Sequence, residues 1–497
     1  MTKKSILFVL LVVSQYVHAQ KTTYNIKDFG AVGDGKTLCT NAINSAITKC
    51  SESGGGMVVI PAGIFKSGAI LMKNNVELHL EMGSTLLASA EYKDFPAQPW
   101  PEYRSLRDDP EGWLALIYAE KKSNIAITGF GTIDGNGALQ KPAVKKGKDM
   151  EGRPHNILFI SCKQVRIEGI RMLSSGMWNQ HYLNCEDVIV DRIEVYNHAN
   201  RNNDAIDIDG CRRFVLSNSI FDTDDDGITL KSTGAAPAED VTITNCVVSS
   251  FCNAIKAGTE STGGFRNIVI SNCVVKPSLH KSVIYGRSGG LSGIALEIVD
   301  GGIMEGISIS NITIEGTHAP LFIRLGNRAR KHIENAPEPP VGKIRNITIS
   351  NIVAYNTGNI CSSITAIPGH YIENVTIDNI QLFNQGGLTD GQYKATHHDV
   401  QEAEKNYPES SQWGVLPSSV FFIRHVKGLS INNLMFGSNQ NDPRIPIIAV
   451  DVERFRLGKS IYSGASSPPY FVLLDQVKEF DIEKPLGWGQ NPLTILY

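Results

Sequence analysis

After the first twenty residues, no stretch of this 497-residue chain approaches 18 consecutive apolar positions, so no membrane-spanning helix is expected. Charge of one sign is also missing. The 47 Lys and Arg nearly balance 50 Asp and Glu, giving −3, so neither nucleic acid nor an anionic membrane is indicated as a partner. Charged residues are only 20% of the chain, and convincing helical periodicity occurs only at residues 40–49 (TNAINSAITK). The nine cysteines are odd in number and widely spaced, which argues against a dense disulfide framework. Cys162, Cys185, Cys211, Cys246 and Cys273 mostly fall at one point of a strand pattern and read as small buried residues stacked along a core. A Cys39–Cys50 bridge stays open.

What is present is glycine, 46 residues of it, and a recurring phrase. From about residue 120 a short alternation of Ile, Val and Thr leads to Asn or Ser and starts again, as in SNIAITGFGTIDG, EGISISNITIEG and IRNITISNIVAYN. Period two marks strands, and repeats of roughly 21 to 30 residues mark a solenoid rather than separate domains. The repeat is too short for a propeller blade. The expected fold is all-β, a single-stranded right-handed parallel β-helix with the helix at 40–49 as an N-terminal cap. Longer insertions at 91–113, 139–154, 277–293, 325–341, 385–418 and 454–467 would rise from the coil edges and wall a groove. Lys3 and Lys4, the apolar run 6–13 and Val17-His18-Ala19 have the form of a signal peptide over residues 1–19. The mature chain, 20–497, is expected to be exported, soluble and monomeric.

Several motifs compete. Residues 30–37 (GAVGDGKT) match a phosphate-binding loop, but no βαβαβ succession follows, and a Gly-rich turn opening the coil is the better reading. Residues 222–227 (DTDDDG) resemble the first half of a calcium loop, yet Thr233 stands where a bidentate Glu is needed. The Asn-Xaa-Thr triplets at Asn311, Asn346 and Asn374 belong to the strand repeat rather than to glycan attachment. The stretch NNDAIDIDGCRRFVLSNSIFDTDDDGITLK then packs seven aspartates into thirty residues, with three basic ones. Asp204 lies 21 residues before Asp225, the length of one coil, so both would stack into one site. Asp226 joins it only if the chain bends, which Gly227 permits. Three carboxylates around one cleft suit glycoside hydrolysis, with one kept protonated as acid and the others ionised to activate water. Spacing alone fits a solvated acidic turn nearly as well.

Over nearly all its mature length the chain resembles glycoside hydrolase family 28, the polygalacturonases and rhamnogalacturonan hydrolases. The resemblance rests on YNIKDFGAVGDGKT, ITGFGTIDGNG, SSGMWNQHYLNC, NNDAIDID and DTDDDGITLKS in that order. It implies Asp225 as general acid, Asp204 with Asp226 as the water-activating pair, inversion at the anomeric carbon with acid and base roughly 6.5–9.5 Å apart, and no metal or organic cofactor. The family's Gly-His-Gly corresponds to Cys252-Asn253-Ala254, so Asn253 replaces the site histidine. Its Arg-Ile-Lys, which engages the substrate carboxylate, corresponds to Ala295-Leu296-Glu297, where Glu297 would repel a galacturonate.

Asn202, Asn253, Lys256, Trp178 and Arg324 are the expected substrate-binding residues. Arg287, Arg328 and Arg424 are further cations, and His181, Tyr407, Trp413 and His425 further sugar contacts. The expected activity is hydrolysis of a pectic polysaccharide or oligosaccharide such as rhamnogalacturonan, acting from one end if the insertions 325–341 and 385–418 close the groove. The alternatives are a non-catalytic β-helix that binds polysaccharide, an adhesin among them, and a β-helical lyase, which the acid trio disfavours.

Overall fold

The period-two alternation folds into short strands, 36 among the described residues, all paired in parallel into one continuous sheet wound as a right-handed β-helix. The computed structural model describes residues 22–96, 98–99, 101–105, 114–140, 152–464, 468–489 and 493–496. The leader at 1–19 and parts of the insertions at 91–113, 139–154 and 454–467 lie outside them. Each coil through the middle of the chain contributes three strands. Gln180–Leu183, Glu186–Asp191 and Glu194–Asn197 are followed one coil on by Ile206–Asp209, Arg212–Ser217 and Ile220–Thr223. The next coil gives Ile228–Ser232, Ala238–Thr244 and Val247–Ser250.

Inward residues stack in files. Val165, Val188, Phe214, Val241, Ile268, Ile307, Ile347 and Val375 pair in register from coil to coil, all fully buried or nearly so. Burying each such side chain is worth about 1.5–3 kcal/mol, so the files supply the bulk of the stability. Turns between strands need a left-handed residue at each coil, and Asn is the non-glycine residue that tolerates it best. Asn272, Asn311, Asn351 and Asn379 have φ of 55°, 57°, 53° and 52°. Asn311, Asn351 and Asn379 each donate the side-chain amide to the one before, at 3.1, 3.0 and 2.7 Å, and Asn374 donates to Asn346 at 3.1 Å. The Asn-Xaa-Thr triplets at Asn311, Asn346 and Asn374 are thus ladder positions.

The N-terminal helix runs Thr40–Glu52 and buries Ile43, Ala46, Ile47 and Cys50 against the first coil. Cys39 and Cys50 are free thiols like the other seven, and Cys39 Sγ instead donates to the Val32 and Thr37 carbonyls. In the phosphate-loop-like segment the Asp34 carboxylate accepts from the backbone of Lys36 and Thr37, leaving those amides no role in holding an anion. The insertion expected at 454–467 is shorter, because the strand Ile445–Leu457 and the strand Ser460–Tyr462 occupy half of it.

One face of the helix differs from the others. Strand Glu186–Asp191 alternates buried and exposed, whereas Gln180–Leu183, Ile206–Asp209, Ile228–Ser232, Ser292–Ile298 and Ala319–Leu325 are buried on both sides. Insertions cover this face. Tyr103 Oη accepts from the Ala236 amide at 2.9 Å, and the Asn327 amide donates to the Glu404 carbonyl at 2.7 Å.

Candidate active site

Asp204, then Asp225 and Asp226, precede two consecutive strands on that covered face, and Asn253 opens the third. Ile206 pairs with Ile228, and Ile228 with Ile255, so Asp204, Asp226 and Asn253 stand in one file. The coil is therefore 22 residues here (Ile206 to Ile228) rather than 21, and Asp226, not Asp225, is the coil-equivalent of Asp204. Asp225 occupies the bend before the strand Ile228–Ser232. Thr223 Oγ1 and Ser250 Oγ donate to its carbonyl at 2.8 and 2.6 Å, and the Asp226 amide donates to its Oδ1 at 3.0 Å. Gly227 serves the bend by close approach: a Cβ there would lie 2.5 Å from the Ala254 carbonyl oxygen.

Carboxyl oxygens of Asp225 and Asp226 and the Cys252 sulfur lie within 4.8 Å of one another. This distance joins single oxygens, whereas the roughly 6.5–9.5 Å of an inverting acid and base separates the two carboxyl groups. Burial, and then the charges of Asp204 and Asp226, push Asp225 well above the usual carboxylate range. Burial and the neighbouring Asp207 do the same to Asp204, against the pull of Lys231. Burial also works against the charge on Asp226, but Lys256 and Lys231 overcome it and hold this carboxylate below its ordinary value. Lys256 Nζ is 2.9 Å from Asp226 Oδ2, while Asn253 N and Nδ2 donate to Oδ1 at 3.1 and 2.8 Å. One cluster thus contains a carboxyl biased to keep its proton next to one biased to lose it.

Lys231 is a member that spacing did not reveal. Its ammonium lies 3.7 Å from Asp204, 3.4 Å from Asp207 and 3.6 Å from Glu260, and 4.4 Å above the Trp178 ring. It sits five residues after Asp226 in the same strand run, so a buried-face lysine beside an acidic stretch was the available clue. Trp178 is 6% exposed with that ring face taken, which makes it packing for Lys231 rather than an open sugar platform. Asn202 reaches Asp225 with Nδ2 at 3.5 Å and remains at the site.

Other expectations change. Arg324 is 1% exposed, and its guanidinium donates to the carbonyls of Ala366, Glu402 and Ala403 at 2.9, 2.6 and 3.2 Å. It clamps the 385–418 insertion and does not face the cleft. Arg424 does the same through the Val400 and Gln401 carbonyls, and His425 sits between Glu402 and Asp451. Trp413 Nε1 donates to the Gln401 carbonyl, and His181 Nε2 pairs with Asp209 in the interior. Arg328 is engaged by Asp300 and Thr259, and Arg287 lies on the exposed 277–293 insertion. Tyr407 stays half exposed and accepts from Lys256 Nζ at 3.4 Å.

Glu297, expected to repel a galacturonate, is fully buried and pushed up to about 8 by burial, so it is largely uncharged at neutral pH and repels nothing there. Ala295 lies in an apolar cluster with Phe322, Phe422 and Trp413.

The calcium-loop reading fails on partners. Asp222 bonds His198 at 2.9 Å, Asp224 accepts the Ile284 and Tyr285 amides at 2.6 Å each, and Asp226 holds Lys256, so the three carboxylates diverge. Two groups of three potential metal ligands occur among the described residues, Asp225, Asp226 and Cys252, and His397, His398 and Asp475. In the first the Lys256 ammonium already neutralises Asp226. In the second His397 Nε2 bonds Asp475 Oδ2 at 2.8 Å.

Comparison with known proteins places this geometry in context. Residues 50–402 match the model of "Glycosyl hydrolases family 28". A probable polygalacturonase of Vitis vinifera is 28% identical over 362 residues, 69% of this chain and 71% of that protein. An exo-poly-alpha-D-galacturonosidase of Dickeya chrysanthemi is 25% identical over 303 residues, half of each chain. Among solved structures, a hyperthermoactive exopolygalacturonase from Thermotoga maritima superposes with a TM-score of 0.63 at 22% identity, over 84% of this chain and 91% of that one, which supports the fold.

Proposed function

The chain belongs to glycosyl hydrolases family 28 and is a polygalacturonase-like glycosidase, and we propose that it cleaves galacturonate-containing pectic chains from one end, with inversion at the anomeric carbon. The observation that carries this reading is the opposed bias of Asp225 and Asp226 within one buried cluster. Asp225 gives its proton to the leaving-group oxygen as the bond from the anomeric carbon breaks. Asp226, held ionised by Lys256 and Asn253, takes a proton from the water whose oxygen forms the new bond. Asp204, one coil away and biased toward its neutral form, hydrogen-bonds that water and completes the pair.

Rhamnogalacturonan suits the site better than polygalacturonate. The family's carboxylate-binding cations are replaced, and Lys231, Lys256 and Arg328 are each paired with a carboxylate of the protein itself. A polymer in which only alternate sugars are acidic asks for fewer free cations. The covered face, with the 385–418 insertion clamped upon it, supports action from an end. A protein that only bound polysaccharide would have no use for three carboxyls buried against their desolvation cost.

Product analysis on a panel of pectic polysaccharides, with wild type and Asp225→Asn, tests the reading. Reducing ends that the substitution abolishes support it. Unsaturated products absorbing ultraviolet light would mean a lyase, and no products from any substrate would mean a binding protein. Export through residues 1–19 and a monomeric state belong to the same proposal, checked by N-terminal sequencing of secreted protein and by light scattering.

A further inference from the structure

Two braced loops meet beside Asp225, and neither belongs to the acid trio. The first carries Arg201. Arg153, 6% exposed, donates to the Arg201 carbonyl at 2.6 Å and to Asn202 Oδ1 at 3.3 Å, and Asn200 Nδ2 donates to the carbonyls of Gly137 and Gln140 at 3.0 Å each. The second is the 277–293 insertion. Asp224 fixes it by accepting two successive amides, and the His280 ring stacks on His198 at 4.2 Å. The Arg201 guanidinium lies 5.7 Å from the Tyr285 ring centre, and Tyr285 is near enough to Asp225 and Asp226 for their charges to raise its phenol after burial.

Lys231, Lys256, Arg328 and Arg330 around the same cleft are all ion-paired within the protein. Arg201 is exposed and forms no ion pair among the described residues. Its neighbour Asn202 touches Asp225. A guanidinium presents a rigid fork of donors matched to a carboxylate, and an aromatic ring behind it limits the orientations it can take.

From this geometry we propose that Arg201, backed by Tyr285, is a subsite for the carboxylate of a uronate sugar bound on the Asp225 side, next to the leaving-group oxygen. The position supplies the cation that Ala295 and Glu297 do not. The inference rests on the proposed hydrolysis of galacturonate-containing chains, and it names where the acidic sugar sits.

The test measures kcat and KM for wild type, Arg201→Gln and Arg201→Lys on pectic oligosaccharides as free acids and as methyl esters. Loss of one charge-assisted contact predicts an about 10- to 100-fold fall in kcat/KM for Arg201→Gln on the free acid, mostly in KM, with little change on the ester. Arg201→Lys should recover part of the loss on the acid. An equal loss on both forms, or no loss on the acid, would overturn the subsite. If wild type cleaves neither form, the hydrolase reading falls by itself. Calorimetric binding of trigalacturonate then still decides the subsite, since equal affinity of wild type and Arg201→Gln would reject it.

Discussion

Lys256 Nζ lies 2.9 Å from Asp226 Oδ2, and both groups are withdrawn from solvent. A cation so placed favours the ionised carboxylate, so removing it must raise the Asp226 pKa. The acidic limb of kcat/KM reports the base of the free enzyme. In wild type that limb should lie below the ordinary aspartate range, because Asp226 is held low. Lys256→Met should move the limb to higher pH and lower activity at every acidic pH. A pH profile of kcat/KM with an unmoved limb would show that Asp226 is not the base.

Asp225 makes a complementary prediction. Its carboxyl is held protonated by burial and its acidic neighbours, so the alkaline limb should extend above that of an exposed aspartate. Asp225→Asn should cut kcat about 10²- to 10⁴-fold, the usual worth of general acid catalysis. The close approach of Asp225 and Asp226, within 4.8 Å, makes the stereochemistry worth measuring directly. Proton NMR of the first-formed product should show the anomer opposite to that of the substrate, and the retained anomer would reject the assignment of Asp226 as base.

Most of the architecture was legible because it is local. A left-handed turn at each coil calls for Asn, and Asn311 and Asn351 announce the ladder by recurring at strand ends. That Asp204, Asp225 and Asp226 lie together was legible through spacing and family resemblance, although Asp226, not Asp225, is the coil-equivalent of Asp204. Long-range pairing was not legible. The role of Arg324 depends on carbonyls 78 and 79 residues away in an insertion, and no local pattern distinguishes a loop clamp from a substrate cation. Lys231 and Glu260 meet only because consecutive coils stack. The neutrality of Glu297 comes from burial that its sequence neighbours do not encode.

Glu297 ties the site to stability. Its pKa rises from the ordinary 4.5 to about 8 on folding, so the folded chain binds this proton more tightly than the unfolded one. The contribution is fully present below the unfolded pKa and is lost as pH rises through the folded one. Asp207, pushed up to about 7, acts in the same direction. Thermal stability should therefore fall between pH 5 and pH 9, by on the order of a few kcal/mol for such buried groups. Glu297→Gln, which cannot ionise, should flatten that decline. Unfolding curves for the two proteins at pH 5, 7 and 9 would refute the account if their pH dependences ran parallel.

The clamp by Arg324 links the insertion to the manner of cleavage. The insertion 385–418 lies on the covered face because Arg324 and Arg424 hold consecutive carbonyls from Val400 to Ala403. Arg324→Met keeps the bulk but leaves the half-buried Glu402 and Ala403 carbonyls, and the buried Ala366 carbonyl, without this donor, and a buried acceptor left unpaired costs roughly 1–3 kcal/mol. Part of the penalty falls on the Ala366 turn, but the inward files keep their packing, so the β-helix should persist while residues 400–404 loosen. Hydrogen exchange should rise most in that segment, with a smaller rise around Ala366. If the clamped insertion is what confines wild type to chain ends, early products from a long pectic polymer should change from one small species to a ladder. Faster exchange at 400–404 with an unchanged product pattern would show that the insertion does not set the mode of attack.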